Sequence, residues 1–308
     1  MPYLGEICAL LTALCWTGSS MSFAVASRAA GPLGSNQLRL MAGVPVLLAI
    51  AWLTTGHFWP VHLPPDRLVL LVLSGLAGLV VGDFGFFHAL ATIGPRHSSV
   101  VMATWPLFAI LIGLPLGESL ALGMLLGAVL LMTGVLLVLL RSSEGASWNP
   151  GLTRRKSMVG VLGALLGALG QATGVVLARV AMAERPDLPE GVLPLDATVV
   201  RMVPALLGVM AVSWALRRGL AFAAVCQNRN ALGAALLGAA FGPVAGVWLS
   251  MEATHHAPTV GVAAALMATT PIFMMPVSKV VYGARIGLAG VAGTALAVAG
   301  AAVLLLAR

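Results

Sequence analysis

The chain has 308 residues, of which 59% are hydrophobic and only 9% charged, and its formal net charge is +7. Soluble domains carry roughly 25% charged residues, so this composition excludes an ordinary soluble globular protein. A helix that crosses a bilayer needs about 20 mostly apolar residues, and the sequence supplies such runs repeatedly. We therefore expect an all-α membrane protein embedded in lipid, whose basic loop residues orient it in the bilayer instead of binding nucleic acid.

Apolar runs taken in chain order predict ten transmembrane helices. They cover about 3–27, 36–55, 67–92, 98–117, 119–140, 158–184, 197–216, 231–254, 258–282 and 286–307. The longest connection is a charged linker at 141–157, which separates a first five-helix repeat at 1–140 from a second at 158–308. No connection is long enough for a soluble domain, so a binding site must lie within or between the helices.

The two halves repeat one stretch of sequence. Residues 102–106 read MATWP and residues 267–271 read MATTP, and an arginine followed thirteen residues later by a tryptophan occurs in both halves, at Arg39 and Arg201. Because five helices is an odd number, the second repeat must enter the membrane from the opposite side, which predicts ten helices in two inverted five-helix repeats. Transporters use this arrangement to alternate access to a central site, although a channel or a structural bundle could be built in the same way.

Three of the predicted helices carry glycine at every third or fourth position. Such faces allow two backbones to touch within lipid, so we expect tight packing there, with a sliding interface as the alternative. The glycines are Gly75, Gly78, Gly82 and Gly85 on the third helix, Gly163, Gly167, Gly170 and Gly174 on the sixth, and Gly238, Gly242 and Gly246 on the eighth.

Basic residues are unevenly divided between the two ends of the predicted helices. Twelve of the 17, counting Arg39, follow odd-numbered spans, and five, counting Arg201, lie on the side of the termini. Because cytoplasmic loops carry the excess of Lys and Arg, this bias predicts termini outside the cytoplasm. Arginine outnumbers lysine 15 to 2, which is typical of a GC-rich bacterial genome and favours a bacterial inner membrane.

Several short motifs follow one another in the same order in the two halves. An arginine opens the second span (Arg39 and Arg201), and Pro-x-Phe lies in the fourth span (Pro106 and Pro271). Gly-x6-Gly lies within the fifth span (from Gly127 and from Gly293), and in the first half Gly117-Glu118 precedes that span. In this order they resemble the EamA branch of the drug/metabolite transporter superfamily over essentially the whole chain. The resemblance implies a ten-helix transporter with a substrate cavity between the repeats, commonly an exporter of amino acids or other small metabolites. Two features depart from the family: its members often have cytoplasmic termini, and Gly283-Ala284-Arg285 stands where they often have Gly-Glu-Arg.

Asp83 is an acid near the middle of the third predicted helix. A charge at that depth costs at least about 2.5–3.5 kcal/mol, so it usually faces a cavity or a partner. Arg179 is the candidate partner by residue type, but it lies at a different depth, so we do not expect a direct pair. One hypothesis is that Asp83 couples proton movement to transport or binds an amine; the alternative is a carboxyl that hydrogen-bonds neighbouring helices.

Trp16 and Gln171 occupy equivalent positions in the two repeats, near the middle of the membrane, and Ser19 follows Trp16 on the same helix. An aromatic ring and an amide at the centre would suit an amphipathic or cationic solute, whereas a packed tryptophan and a cross-helix amide bond is the duller alternative. Trp105 and Thr270 are also equivalent, beside prolines that can bend a helix toward a cavity.

Trp248, on the eighth predicted helix, is a weaker candidate for the substrate path. Glu252, His255 and His256 share one turn at the end of that helix and could bind a proton or a divalent metal. The sequence contains no HExxH motif, so we predict no metal site, and it contains no phosphate-binding loop, so we predict neither a cofactor nor ATP hydrolysis.

The sequence as a whole favours a secondary transporter of small metabolites, in the direction of export, and not an enzyme. The predicted substrate path comprises Trp16, Ser19, Asp83, Trp105, Gln171, Trp248 and Thr270, with proton coupling through Asp83. A passive channel, a metal-dependent intramembrane enzyme and a purely structural membrane subunit are the competing hypotheses, and both a monomer and a homodimer fit the sequence.

Overall fold

The computed structural model of the chain describes residues 3–60, 63–116, 121–141, 153–186, 188, 191–270, 272–274, 276–277 and 288–306. In this part of the chain the named elements are helices, and the one β-type contact is an isolated bridge between Arg185 and Leu188. Most of the predicted linker at 141–157, together with Pro271 and residues 278–287, lies outside the described residues.

The first half of the chain forms seven α-helical segments. They are α1 (Leu4–Ala30), α2 (Pro32–Thr55), α3 (Pro65–Gly75), α4 (Asp83–Thr92), α5 (Gly94–Met102), α6 (Trp105–Gly113) and α7 (Leu122–Arg141). A π-helical segment, Leu76–Gly82, joins α3 to α4, so these three pieces make one long helix. A short 3₁₀ turn, Leu114–Leu116, ends α6.

The second half follows a similar order, with one additional short helix, Phe222–Gln227, between the counterparts of α2 and α3. Its α-helical segments are α8 (Arg154–Met182), α9 (Pro194–Ala215), α10 (Phe222–Gln227), α11 (Arg229–Ala239), α12 (Val247–His256), α13 (Val260–Met267) and α14 (Leu288–Leu306). A π-helical segment, Ala240–Gly246, joins α11 to α12 at the place equivalent to the one in the first half.

Six helices of the described chain are long and apolar enough to cross a membrane. They are α1, α2, the α3–α4 helix, α8, α9 and the α11–α12 helix. Four shorter apolar helices complete the set: Trp105–Leu116, Leu122–Gly134, Val260–Met274 and Leu288–Gly300. A multi-pass helical membrane protein is therefore confirmed, whereas the number of ten crossings stays a prediction.

The second helix of each repeat begins earlier than the sequence indicated. α2 starts at Pro32 and α9 at Pro194, so Arg39 and Arg201 each lie seven residues inside a helix, about 10 Å from its start. Their exposed fractions are 5% and 1%. The assignment of these two arginines to the mouths of the spans, among the residues that orient the chain, is therefore wrong.

The glycine stripes of the third and sixth predicted helices face each other. A Cβ added at Gly82 would lie 3.3 Å from the carbonyl oxygen of Gly167 and from Cα of Gly170, and one added at Gly78 would lie 3.8 Å from Cα of Gly174. The numbers fall on one helix as they rise on the other, so the two helices run antiparallel. Backbones in direct contact confirm the tight packing that the glycine spacing predicts.

The third glycine stripe packs on α1 in the same manner. An added Cβ at Gly238 would meet the ring of Phe23 at 2.8 Å, and one at Gly246 would meet the indole of Trp16 at 2.8 Å. The first helix of each repeat therefore packs against the third helix of the other repeat. Because the helices of the two repeats pack against each other in this reciprocal way, the centre of the molecule lies between the repeats.

The last helices of the two repeats show how the repeats are related. An added Cβ at Gly134 on α7 would meet Gly293 on α14, and one at Gly300 on α14 would meet Gly127 on α7. These four glycines are the two copies of the Gly-x6-Gly pattern, so the contact is symmetric. The equivalent helices are antiparallel, which is the geometry that inverted repeats require.

Candidate substrate cavity

A cavity of about 90 Å³ lies where the two repeats meet. One water molecule needs about 10–15 Å³, so this space holds several waters or a small solute. Six of the seven residues that the sequence proposed for the substrate path line it: Trp16, Ser19, Asp83, Trp105, Gln171 and Thr270.

Several of the lining residues form pairs that are equivalent in the two repeats. Each repeat contributes a residue from its first, second, third and fourth helix at matching positions. The pairs are Trp16 and Gln171, Arg39 and Arg201, Asp83 and Val247, and Trp105 and Thr270. A cavity lined by both members of these four pairs lies at the pseudo-two-fold axis, where an alternating-access transporter holds its substrate.

An ion pair lies in the wall of the cavity. Arg39 on α2 donates to the carboxylate of Asp83 on α4, and their side chains are 6% and 14% exposed. The Nε of Arg39 donates to Oδ1 of Asn36 at 3.1 Å, and its guanidinium lies 5.3 Å from the ring centroid of Phe87. The sequence does not predict this pair, because Arg39 is assigned there to the opening of the second span, among the residues that orient the chain.

Arg179, the partner first considered for Asp83, binds elsewhere. Its guanidinium donates to the carbonyl oxygens of Thr254, His255 and Pro258, at 2.8 Å for His255 and 3.3 Å for Pro258. It therefore stabilises the end of α12, where helix carbonyls lack partners of their own. The expectation that Arg179 and Asp83 do not pair directly is confirmed.

Arg201 also lines the cavity but has few partners. Its Nη1 donates to the sulfur of Met251 at 2.8 Å, and sulfur is a weak acceptor. Its Nε is buried and has no hydrogen-bond partner among the residues that the structure describes. None of the carboxylates that the structure describes forms an ion pair with Arg201.

Aromatic rings form the apolar part of the wall. Trp16 and Trp105 meet edge to face, with ring centroids 6.4 Å apart, and Trp105 is only 2% exposed. The hydroxyl of Thr17 donates to the carbonyl oxygen of Thr270 at 3.0 Å, which fixes α1 against the fourth helix of the other repeat. The wall thus combines rigid aromatic surface with a few fixed polar groups, as small-molecule sites do.

The duplicated sequence stretch marks a break in a helix. α5 ends at Met102 and α6 begins at Trp105, with Pro106 in its first turn, where its missing N–H costs no hydrogen bond. The hydroxyl of Thr104 donates to the carbonyl oxygen of Val101 at 2.7 Å. The predicted bend is therefore an interruption, which turns Trp105 toward the cavity.

Trp248 does not belong to the cavity lining. Its indole N–H donates to Oε1 of Glu252 at 3.1 Å, and its ring packs beside α2 and α9. Glu252 lies 3.4 Å from Nε2 of His256. Within the described residues no group of three His, Cys, Asp or Glu side chains is placed to hold a metal ion.

Polar contacts join the repeats at the end of the molecule that carries the termini. Arg67 donates to the carbonyl oxygens of Val180 and Ala183, and Arg185 pairs with Asp66 at 2.8 Å. At the other end, Gln37 is the link: Nε2 donates to the carbonyl oxygen of Gly219 at 3.1 Å, and Oε1 accepts from Phe222 N–H at 2.9 Å.

Two helical repeats that pack around a central cavity with a few fixed polar groups have the architecture of a two-repeat membrane transporter. The model of the EamA-like transporter family matches residues 3–140 and 158–306. The chain therefore belongs to this family, whose members are transporters and not enzymes.

Comparison with solved structures gives the same fold. Among 28 matching chains, a protein titled "Crystal structure of protein" superposes with a TM-score of 0.73 at 20% sequence identity. The alignment covers 100% of this chain and 98% of that one. No curated protein matches the chain.

Proposed function

We propose that the protein is a secondary transporter that exports small metabolites across a bacterial inner membrane by alternating access. Ten helices form two inverted repeats, at 1–140 and 158–308, joined by the linker at 141–157. Trp16, Ser19, Asp83, Trp105, Gln171 and Thr270 form the substrate path. The protein works as a monomer or homodimer in lipid, on a small-molecule partner and without a cofactor.

The observation that carries this proposal is the pairing of equivalent residues around one cavity. Rocking of one repeat against the other about a pseudo-two-fold axis opens a site on that axis first to one side and then to the other. The polar contacts at the two ends, Arg185 with Asp66 and Gln37 with Gly219, are the ones such a motion would break in turn.

Asp83 is the proposed site of proton coupling. Its carboxylate lines the cavity and pairs with Arg39, so protonation of Asp83 would remove the pair and release the arginine toward the substrate space. A proton that enters the cavity would thereby change which groups are free to bind a solute.

Purified protein in liposomes provides the test. We expect flux of a metabolite from a mixed panel to saturate with concentration and to be accelerated by the same solute on the far side, since a carrier returns faster when loaded. Flux that never saturates and shows no such acceleration would instead identify a channel, and formation of a new product would identify an enzyme.

Matched variants test whether the transported solute passes through the cavity. Gln171→Leu removes a polar group from the lining and should lower the affinity, whereas Trp248→Phe changes an aromatic side chain outside the lining and should not. Asp83→Asn, compared at equal amounts of folded protein, should keep solute exchange but lose the response to a pH gradient. A full response to the gradient in Asp83→Asn would exclude the coupling role.

A further inference from the structure

Arg39 and Arg201 occupy equivalent sites with unequal partners. The π-helical segments Leu76–Gly82 and Ala240–Gly246 align the third helices of the repeats, and the starting prolines of α2 and α9 align the second helices. Every side chain that contacts Arg39 therefore has a defined counterpart near Arg201.

Arg39 contacts Asn36, Phe87 and Asp83, and each of these residues can be compared with its counterpart near Arg201. Arg39 donates from Nε to Asn36, and the counterpart of Asn36 is Thr198, whose hydroxyl donates to the carbonyl oxygen of Pro194 instead. Arg39 lies over the ring of Phe87, and the counterpart of that ring is Met251, whose sulfur accepts from Arg201.

The decisive difference is the acid. Asp83 is the first residue after its π-helical segment, and the residue at the same place in the second repeat is Val247, which lines the cavity as well. Near Arg201, Val247 therefore stands where the first repeat has the carboxylate of Asp83 beside Arg39.

The charges of the cavity do not balance. Among its described lining residues are two arginines and one acid, and Arg201 is 1% exposed with an unpartnered Nε. A buried charge without an ion partner is costly, and a guanidinium binds a carboxylate through two parallel hydrogen bonds. One excess positive charge matches one monoanionic group better than the double charge of a phosphate.

We propose that the transported solute carries a carboxylate, which binds Arg201 in the space where the second repeat lacks an acid. The aromatic wall of Trp16 and Trp105 would hold the apolar body of the solute. That the solute is transported rests on the proposed function, but the binding of a carboxylate by Arg201 can be tested without transport.

Thermal unfolding of the purified protein in detergent is the first experiment, because a ligand that binds the folded form raises its melting temperature. The probes are propionate, lactate and phenylacetate, their uncharged amides, and inorganic phosphate. We expect at least one carboxylate to stabilise the protein while its amide does not, with affinity reduced at least about thirtyfold in Arg201→Gln. Arg217→Gln, at an exposed arginine, should bind as the natural protein does.

A second experiment supplies the missing acid. Val247→Asp should place a carboxylate beside Arg201, raise the melting temperature of the ligand-free protein above that of Val247→Asn, and abolish stabilisation by added carboxylates. Equal melting temperatures of these two variants, equal stabilisation by acid and amide, stabilisation by phosphate alone, or no stabilisation by any carboxylate would each overturn the inference. A carboxylate that binds but produces no flux in liposomes would instead overturn the transport proposal.

Discussion

The Arg39 guanidinium on α2 and the Asp83 carboxylate on α4 form an ion pair in the wall of the central cavity. The pair joins the second and third helices of one repeat. Because both side chains are largely buried, each charge needs the other as its partner to be stable inside the membrane.

Loss of one member of this pair should be strongly destabilising. We expect Asp83→Asn to lower the free energy of unfolding by about 3–5 kcal/mol, because it leaves the Arg39 charge buried without its partner. The double variant Arg39→Gln with Asp83→Asn should recover part of that loss. Unfolding in detergent measures these two variants and the single variant Arg39→Gln, and strict additivity of the two single changes would contradict the pairing.

The pair between Asp66 and Arg185 should behave differently. Its two atoms are 2.8 Å apart, but the side chains are 52% and 39% exposed. Water screens such a pair, so Arg185→Gln should change the free energy of unfolding by less than about 1 kcal/mol. The same unfolding assay serves as the measurement, and a loss as large as that of Asp83→Asn would show that exposure does not govern the two pairs.

Close backbone packing predicts a position-dependent effect of adding one methyl group. A Cβ at Gly170 would lie 2.6 Å from the carbonyl oxygen of Ala77 and 2.7 Å from Cα of Gly82, so Gly170→Ala should cost about 1–3 kcal/mol. Gly233 faces open space, and Gly233→Ala should be neutral or stabilising, since alanine is the better helix former. If the melting temperatures of the two variants agree, the contact between α8 and the π-helical segment of the first repeat is wrong.

Cys226 is a natural probe of orientation. It is an exposed thiol on the side reached after the odd-numbered spans, whereas Cys8 is buried. Without Arg39 and Arg201, the basic residues still divide eleven to four in favour of that side, so we expect Cys226 in the cytoplasm. A membrane-impermeant maleimide should then label permeabilised cells but not intact ones, with Cys226→Ser as the control. Labelling of intact cells would place the termini in the cytoplasm.

The cavity residues that sequence reasoning found share one origin, the comparison of the two repeats. Trp16, Gln171, Trp105 and Thr270 were paired by position, and paired positions near the middle of inverted repeats meet at the axis. The packing of the glycine stripes was also predictable, because glycine at this spacing gives a helix a flat face on which another backbone can pack closely.

The residues that sequence reasoning misplaced have physical reasons of their own. The predicted second span begins at residue 36, four residues after the true start of α2, so Arg39 stands at its opening, yet Asn36 and Gln37 are already buried in the first turns of α2. Trp248 follows Val247, which lines the cavity, but its own ring packs beside α2 and α9, and the sequence alone does not show which of two neighbouring side chains faces the cavity.

The two π-helical segments also order events in the history of the chain. Each has seven residues and stands at the same place in its repeat, so the wide turn is older than the duplication. The arginine on the second helix is shared for the same reason. Asp83 and Val247 differ, so the two copies came to differ at this position after the duplication, when the bend and the arginine were already present.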